Sequence, residues 1–258
     1  GAARPPDRGR LRIMIVERSM DEGWLSNAYL VGDREGGTAV VVDSGAPLAP
    51  LIAALQSFRL RLGAILTTHR HVDHVQGHAE LSGRTGAPIH ALRPETPHVP
   101  GSLPLEAGEE RAWGGLRVRA VALPGHTEGH AGYLIEGVGL FTGDCLFAGS
   151  LGGTVGQGAS GFEDARRAVE TILALPHETP IHPGHAGPTT VGAERESNPF
   201  LRVLDGRDVE GSGRCVAMGL PGRLVVLARD YDGGTKAWVR FDDGRDALVP
   251  GSRVRPTP

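Results

Sequence analysis

The sequence of 258 residues predicts an α/β protein with a small all-β unit at its C-terminal end. Three observations carry that reading. Up to about residue 204, short β-branched runs alternate with stretches whose apolar residues recur at helical spacing, the pattern of layered α/β folds. Beyond Leu204 only short strand patterns occur, divided by turn residues. The 39 glycines and 19 prolines favour many short elements over long helices.

Taken in order, Leu11–Glu17, Asn27–Val31 and Thr38–Val42 read as strands, separated by Gly32-Asp33 and Gly36-Gly37. From Pro50 to Leu60 the residues Leu51, Ala54, Leu55 and Phe58 share one helical face. Leu62–Leu66 reads as a buried strand and Val75–Leu81 as the start of a second helix. Leu116–Leu123 alternates as a half-buried strand, and Tyr133–Glu136 with Gly139–Thr142 reads as a hairpin. Phe162–Leu175 is amphipathic and is stopped by Pro176. In the C-terminal part, Arg214–Leu220, Leu224–Ala228, Lys236–Phe241 and Ala247–Val249 are strand patterns, and the stretch 237–244 is similar to small SH3 or Tudor barrels. This divides the chain into a domain over residues 1–204 and an SH3-like appendage over 205–258. Trp238 and Phe241 fall on opposite strand faces, so one fills the barrel core while the other meets a neighbour.

Composition excludes several classes of function. Lys+Arg of 27 against Asp+Glu of 30 leaves a net charge of −3, with no polybasic block, so nothing draws the chain to nucleic acid or an anionic membrane. Two cysteines, Cys145 and Cys215, rule out a disulfide framework. No apolar run reaches the roughly 20 residues of a membrane helix, and residues 1–10 lack an apolar signal core. The expectation is a soluble, cytoplasmic protein without a nucleic-acid or membrane partner, with homo-oligomerisation left open. Lys236 is the only lysine.

Chemistry concentrates in Thr67-Thr68-His69-Arg70-His71-Val72-Asp73-His74, directly after the apolar run Leu62–Leu66 and hence in a loop at a strand's C-terminal end. Three imidazoles and a carboxylate within six residues are costly to hold together without a cation, and each is a metal-ligand type. Alternation sends His69 and His71 one way and Asp73 and His74 another, which suits two adjacent ions better than one.

These residues resemble the HxHxDH motif of the metallo-β-lactamase superfamily, and further elements lie before and after them in the superfamily's order. Val42-Asp43-Ser44-Gly45, the stretch Leu123 to His130 around His126, Phe141-Thr142-Gly143-Asp144, His182-Pro183-Gly184-His185 and Glu196 to Leu201 each match a superfamily element, over residues 11–204. The resemblance implies an αββα sandwich. It implies one metal on His69, His71 and His126, a second on Asp73, His74 and His185, Asp144 bridging both, and Asp43 holding a ligand in orientation. It also implies two divalent cations, zinc first with iron or manganese alternatives, and a shared hydroxide as nucleophile. Asp73 and Asp144 are then the catalytic carboxylates. His78 reads as a plain helix residue, His130 and His182 as packing or support near the ligands, and Cys145 as buried packing. Met14 and Met20 read as core, and Trp24 lies on a loop able to edge a pocket.

Within the superfamily the sequence is most similar to glyoxalase II-like hydrolases of thioesters or related activated esters. It departs from glutathione-thioester hydrolases in carrying Ala186-Gly187-Pro188, not a tyrosine, after the last histidine, and a β-rich appendage where they have a helical domain. Persulfide dioxygenases, mononuclear iron oxidoreductases of the same fold, have an Arg-Thr-Asp segment where this chain reads Gly152-Gly153-Thr154-Val155. Asp144 sets the chain apart from the zinc β-lactamases, leaving lactonase or β-lactamase-like hydrolysis as a lesser alternative. The acidic balance through residue 204 opposes a nuclease, and the intact ligand set opposes a non-catalytic binding protein. The uncharged, glycine-rich loop Gly149–Gly161 suits an acyl or uncharged substrate group and a mobile rim.

Overall fold

The computed structural model describes residues 14–257. The first half runs β1 (Ile15–Met20), β2 (Asn27–Gly32), β3 (Thr38–Val42), α1 (Leu48–Ser57), β4 (Arg61–Leu66), α2 (Val72–Val75), α3 (His78–Thr85), β5 (Ile89–Leu92) and β6 (Ser102–Leu105). The second half runs β7 (Glu110–Trp113), β8 (Leu116–Ala122), β9 (Ala131–Ile135), β10 (Gly139–Gly143), β11 (Leu146–Phe147), β12 (Ser150–Leu151), α4 (Phe162–Leu173), β13 (Pro180–Pro183), β14 (Thr189–Thr190), α5 (Val191–Ser197) and α6 (Pro199–Leu204). The C-terminal part is all β: β15 (Gly213–Ala217), β16 (Leu220–Arg229), β17 (Thr235–Phe241), β18 (Asp246–Pro250) and β19 (Val254–Pro256).

Two mixed sheets stack face to face, ordered β1-β2-β3-β4-β5-β6 and β14-β13-β10-β9-β8-β7. The period of two along each strand builds the four layers. Tyr29, Val31, Val40, Val42, Ala64 and Leu66 point inward to meet Leu116, Val118, Ala120, Tyr133 and Phe141 of the second sheet. Their neighbours Ala28, Leu30, Ala39, Val41 and Ile65 point outward and are covered by Leu51, Ala54 and Leu55 of α1 and Leu81 of α3. On the far side, Leu123, Leu140 and Ile181 pack under Ala168, Val169 and Ile172 of α4 and Phe200 and Leu201 of α6. Both faces of β2 and β3 are buried, so these strands carry continuous apolar runs.

The C-terminal strands form one antiparallel sheet ordered β18-β17-β16-β15-β19, with a 3₁₀ turn at Gly251–Arg253 before the last strand. One face closes on its own core of Cys215, Ala217, Val239, Phe241 and Val249. From the other, Val225, Val226, Trp238 and Leu248 join the α4 core, and the Trp238 ring lies 4.8 Å from that of Phe162. Trp238 is thus the outward residue and Phe241 the inward one.

Several boundaries differ from expectation. The first strand is Ile15–Met20, paired with β2, while part of the expected Leu11–Glu17 lies outside the described residues. Met20 ends that edge strand at 42% exposure, so it is not core. The helix expected from Val75 splits into α2 and α3 at Gly77, where a Cβ would lie 2.3 Å from the Ser44 carbonyl oxygen. The run Arg214–Leu220 turns back at Met218 and Gly219, both with positive φ, so it ends β15 at Ala217 and Leu220 already begins β16, which continues through the expected Leu224–Ala228 strand. Among the described residues no helix is long and apolar enough to cross a membrane.

Candidate metal centre

The centre sits where the inner strands of both sheets end. β4 delivers Thr67–His74, the loop after β8 delivers His126, β10 runs into Asp144, and β13 into His185. Close backbone approach makes this convergence possible. At Gly45 a Cβ would lie 1.5 Å from the Asp73 carbonyl oxygen, and at Gly184 one would lie 2.3 Å from Asp144 Oδ1. Asp43 takes the left-handed φ of 58° at the end of β3, which turns its carboxylate back under the histidine loop.

All seven residues named as ligands come together. His69, His71 and His126 offer ligand atoms within 4.8 Å of one another, as do Asp73, His74 and His185, and Asp144 forms a third such group with His69 and His74. Asp144 lies between the clusters: Oδ1 is 3.3 Å from His74 Nε2, while Oδ2 is 3.3 Å from His185 Nε2 and 3.5 Å from His126 Nε2.

Hydrogen bonds around the rim determine which imidazole nitrogens face inward as lone pairs. Carbonyl and carboxylate oxygens only accept, so the nitrogen touching them carries the proton. His126 Nδ1 donates to the Gly153 carbonyl at 2.8 Å and His71 Nε2 to the Gln157 carbonyl at 3.1 Å. His74 Nδ1 donates to Asp43 Oδ2 at 2.8 Å. The Thr68 hydroxyl donates to the same oxygen at 2.7 Å and so accepts from His69 Nδ1 at 3.0 Å. The inward atoms His69 Nε2, His71 Nδ1 and His126 Nε2 are then three bare lone pairs, 3.0 and 2.9 Å apart at the two His71 contacts. His74 Nε2 and Asp144 Oδ1 are buried with no hydrogen-bond partner among the described residues. Converging lone pairs without protons repel, and a cation resolves the conflict; the donor set fits two divalent ions.

Titration follows the same layout. Burial holds His69 well below the ordinary imidazole range and lowers His126 to about 4, keeping both neutral. Burial also opposes charge on His74, but the Asp144 and Asp43 carboxylates outweigh it and raise His74 well above that range. Burial works against ionised Asp144, yet His185 and His74 hold its carboxyl well below the usual carboxylate range.

Surrounding residues hold these groups in place. The Asp144 N–H donates to His130 Nε2 at 3.0 Å, and the His130 ring stacks on His69. His182 stacks on Phe141 at 4.6 Å, away from the ligand atoms. Cys145 is buried in the α4 core, and burial pushes its thiol up to about 12. His78 is more than a helix residue, since its two ring nitrogens bond the Ser44 and Thr67 hydroxyls and tie the Asp43 turn to the histidine loop. Trp24 is 56% exposed on the β1–β2 connection, whose Ser26 pairs with His185.

Three features were not anticipated from the sequence. Arg70, pointing opposite to its histidine neighbours, pairs with Glu95 at 2.6 Å and Glu128 at 2.9 Å, joining two ligand loops. The glycine-rich loop is pinned as well as bordering the centre: Thr154 N–H donates to the Leu248 carbonyl at 3.0 Å, and Leu248 N–H to Thr154 Oγ1 at 2.9 Å. Finally, the β16–β17 turn brings Tyr231 onto His185, with ring centroids 4.2 Å apart and planes 16° apart. The glycines of Asp232-Gly233-Gly234 signalled a turn, but nothing local marked its tyrosine as part of the centre.

Comparison with known proteins agrees with this architecture. Residues 21–185 match the family described as the Metallo-beta-lactamase superfamily. A hydroxyacylglutathione hydrolase of Gloeobacter violaceus is 33% identical over 217 residues, spanning 67% of this chain and 83% of the relative. Among solved structures, TTHA1623 in a di-iron-bound form is 34% identical with a TM-score of 0.62, covering 71% of this chain and 99% of that one. ETHE1 from Myxococcus xanthus is 26% identical with a TM-score of 0.64, covering 76% and 92%. With the fold, the ordered motifs and these relatives in agreement, the chain belongs to the metallo-beta-lactamase superfamily, as a metal-dependent hydrolase.

Proposed function

We propose that the protein is a dinuclear-metal hydrolase of a thioester or related activated ester, of the glyoxalase II-like type. The observation that carries the reading is the convergence of three bare imidazole lone pairs in one cluster beside a second group of ligand-type side chains, the two joined by Asp144. His69, His71 and His126 would hold one divalent ion and Asp73, His74 and His185 the other, with Asp144 between them. The chemistry supplied by two such cations is acidification of a water to a nucleophile at neutral pH and stabilisation of charge on the acyl oxygen. Gly153, Gln157 and Thr68 keep the imidazole protons of His126, His71 and His69 on the outer nitrogens, so their inner ones stay free, and Asp43 accepts from His74 Nδ1 to hold that ring in orientation. Asp144 supplies negative charge to both clusters, and Asp73 supplies it to His74 and His185 alone, at 3.5 Å from Nε2 of each. The neutral loop Gly149–Gly161 borders the centre and favours an uncharged acyl group. Zinc is the proposed ion, and iron or manganese suit the same donors. The relative named hydroxyacylglutathione hydrolase supports a small thioester as substrate. The strand order β18-β17-β16-β15-β19 and the 3₁₀ turn before β19 support an SH3-like barrel over residues 205–258, following a catalytic domain over 1–204.

The test loads the purified chain with zinc and follows thiol release from a thioester series, with lactones and β-lactams in parallel, in air and under anaerobic conditions. Thiol release at equal rates in both is expected. Stoichiometric consumption of oxygen would replace hydrolysis with an oxidoreductase reading, and turnover of β-lactams or lactones alone would move the substrate class.

A further inference from the structure

A metal-ligating histidine almost always donates its outer N–H to an oxygen, which fixes its ring orientation. Four of the five ligand histidines here have such a partner: Thr68 for His69, Gln157 for His71, Asp43 for His74 and Gly153 for His126. His185 is the exception, because among the described residues its Nδ1 is buried without a partner. Its ring is held by aromatic faces instead. Tyr231 stacks nearly parallel to it at 4.2 Å, and Phe147 meets it edge-on at 5.6 Å and also touches Tyr231 at 4.9 Å.

Tyr231 reaches this place because its turn is anchored. Asp230, the preceding residue, pairs through Oδ2 with Lys236 Nζ at 3.0 Å, with both side chains under a tenth exposed. Asp230 Oδ1 accepts from Ser150 Oγ at 2.8 Å and from the Tyr231 N–H at 3.0 Å. The only lysine in the chain therefore lies buried, locking the C-terminal turn to the strand that opens the glycine-rich loop.

We propose that Tyr231 is a positioning residue of the metal centre, substituting an aromatic stack for the missing hydrogen bond to His185, so that occupancy of the Asp73–His74–His185 cluster depends on the C-terminal sheet. The proposal rests on the dinuclear reading above. It also gives the appendage a role that residues 205–258 could not have if they only stabilised the fold.

The experiment titrates the metal-free full-length chain with cobalt(II), following visible absorption and bound metal per chain, for wild type, Tyr231→Phe, Tyr231→Leu and Lys236→Met. Melting temperature and circular dichroism of the metal-free variants report the fold. Tyr231→Phe, which keeps the stack, should match wild type. Tyr231→Leu, which fills similar space without a ring, should weaken the second cobalt by about tenfold or more and leave the first unchanged. Lys236→Met should weaken the same cobalt by loosening the turn. Equal affinity for both ions in wild type and Tyr231→Leu would overturn the proposal. So would equal weakening of both ions, which marks general destabilisation. Wild type binding a single cobalt would instead overturn the dinuclear reading.

Discussion

Asp43→Asn tests whether imidazole tautomers select the metal sites. Asp43 is 2% exposed and accepts three hydrogen bonds, from Thr68 N at 2.8 Å, Thr68 Oγ1 at 2.7 Å and His74 Nδ1 at 2.8 Å. Asparagine tolerates the left-handed backbone at this position, so strain is not the perturbation. Its amide oxygen can still accept from Thr68 N, but the NH₂ then faces two donors. The Thr68 hydroxyl can rotate away. His74 escapes only by moving its proton from Nδ1 to Nε2, the atom that faces Asp144 and Asp73. The lone pair a cation needs is then occupied. Loss of such an orienting partner costs about 10–100-fold in metal affinity, or roughly 1.4–2.7 kcal/mol. His69 keeps its contact to the Thr68 oxygen, so the His69–His71–His126 cluster should be spared. The assay is metal content after dialysis against graded chelator. One ion of the two should leave at about 10–100-fold lower chelator strength than in wild type. Retention of both ions at wild-type affinity would refute the tautomer argument.

Asp144→Ala should abolish thioester hydrolysis while circular dichroism stays unchanged, because its two oxygens face His74, His185 and His126 and its loss removes charge from both clusters. Wild-type turnover with unchanged metal content would refute the shared-carboxylate assignment. The metal-free protein should also lose stability as pH falls. Burial, aided by His74 and only partly opposed by Asp43, lowers His78 to about 4, against an unfolded value of about 6.5. The folded state thus binds fewer protons in that window, so stability present above pH 6.5 declines towards pH 4, by at most about 3 kcal/mol from this residue. Thermal unfolding of the metal-free chain between pH 7 and 5 should show a falling midpoint, and His78→Gln should flatten the slope. An identical slope in that variant would assign the effect elsewhere.

Much of the centre was legible locally because its chemistry is dense in sequence. His69, His71, Asp73 and His74 fall within six residues, and the abrupt end of the apolar run at Leu66 places them at a strand end. The β2 and β3 strands were readable because both faces are buried, giving unbroken apolar runs. Short strands were not. β5, β6 and β7 have four residues each, too few for a period of two to stand out, and Pro104 interrupts β6. β19 has three residues and ends in Pro256, so the fifth strand of the C-terminal sheet escaped notice.

The sequence by itself therefore determined the α/β character and the dense group His69, His71, Asp73 and His74, because apolar periodicity and clustered donor types are properties of neighbouring residues, whereas His126, Asp144 and His185 were named only through the resemblance to the superfamily. Tertiary structure alone decided which nitrogen of each histidine faces inward, since the partners Gly153, Gln157 and Asp43 lie 27, 86 and 31 residues away from His126, His71 and His74. It likewise decided that Tyr231, 46 positions beyond His185, closes on that ring. Local pattern records which face a residue buries; the partner on that face comes from whichever distant strand the packed sheets bring there.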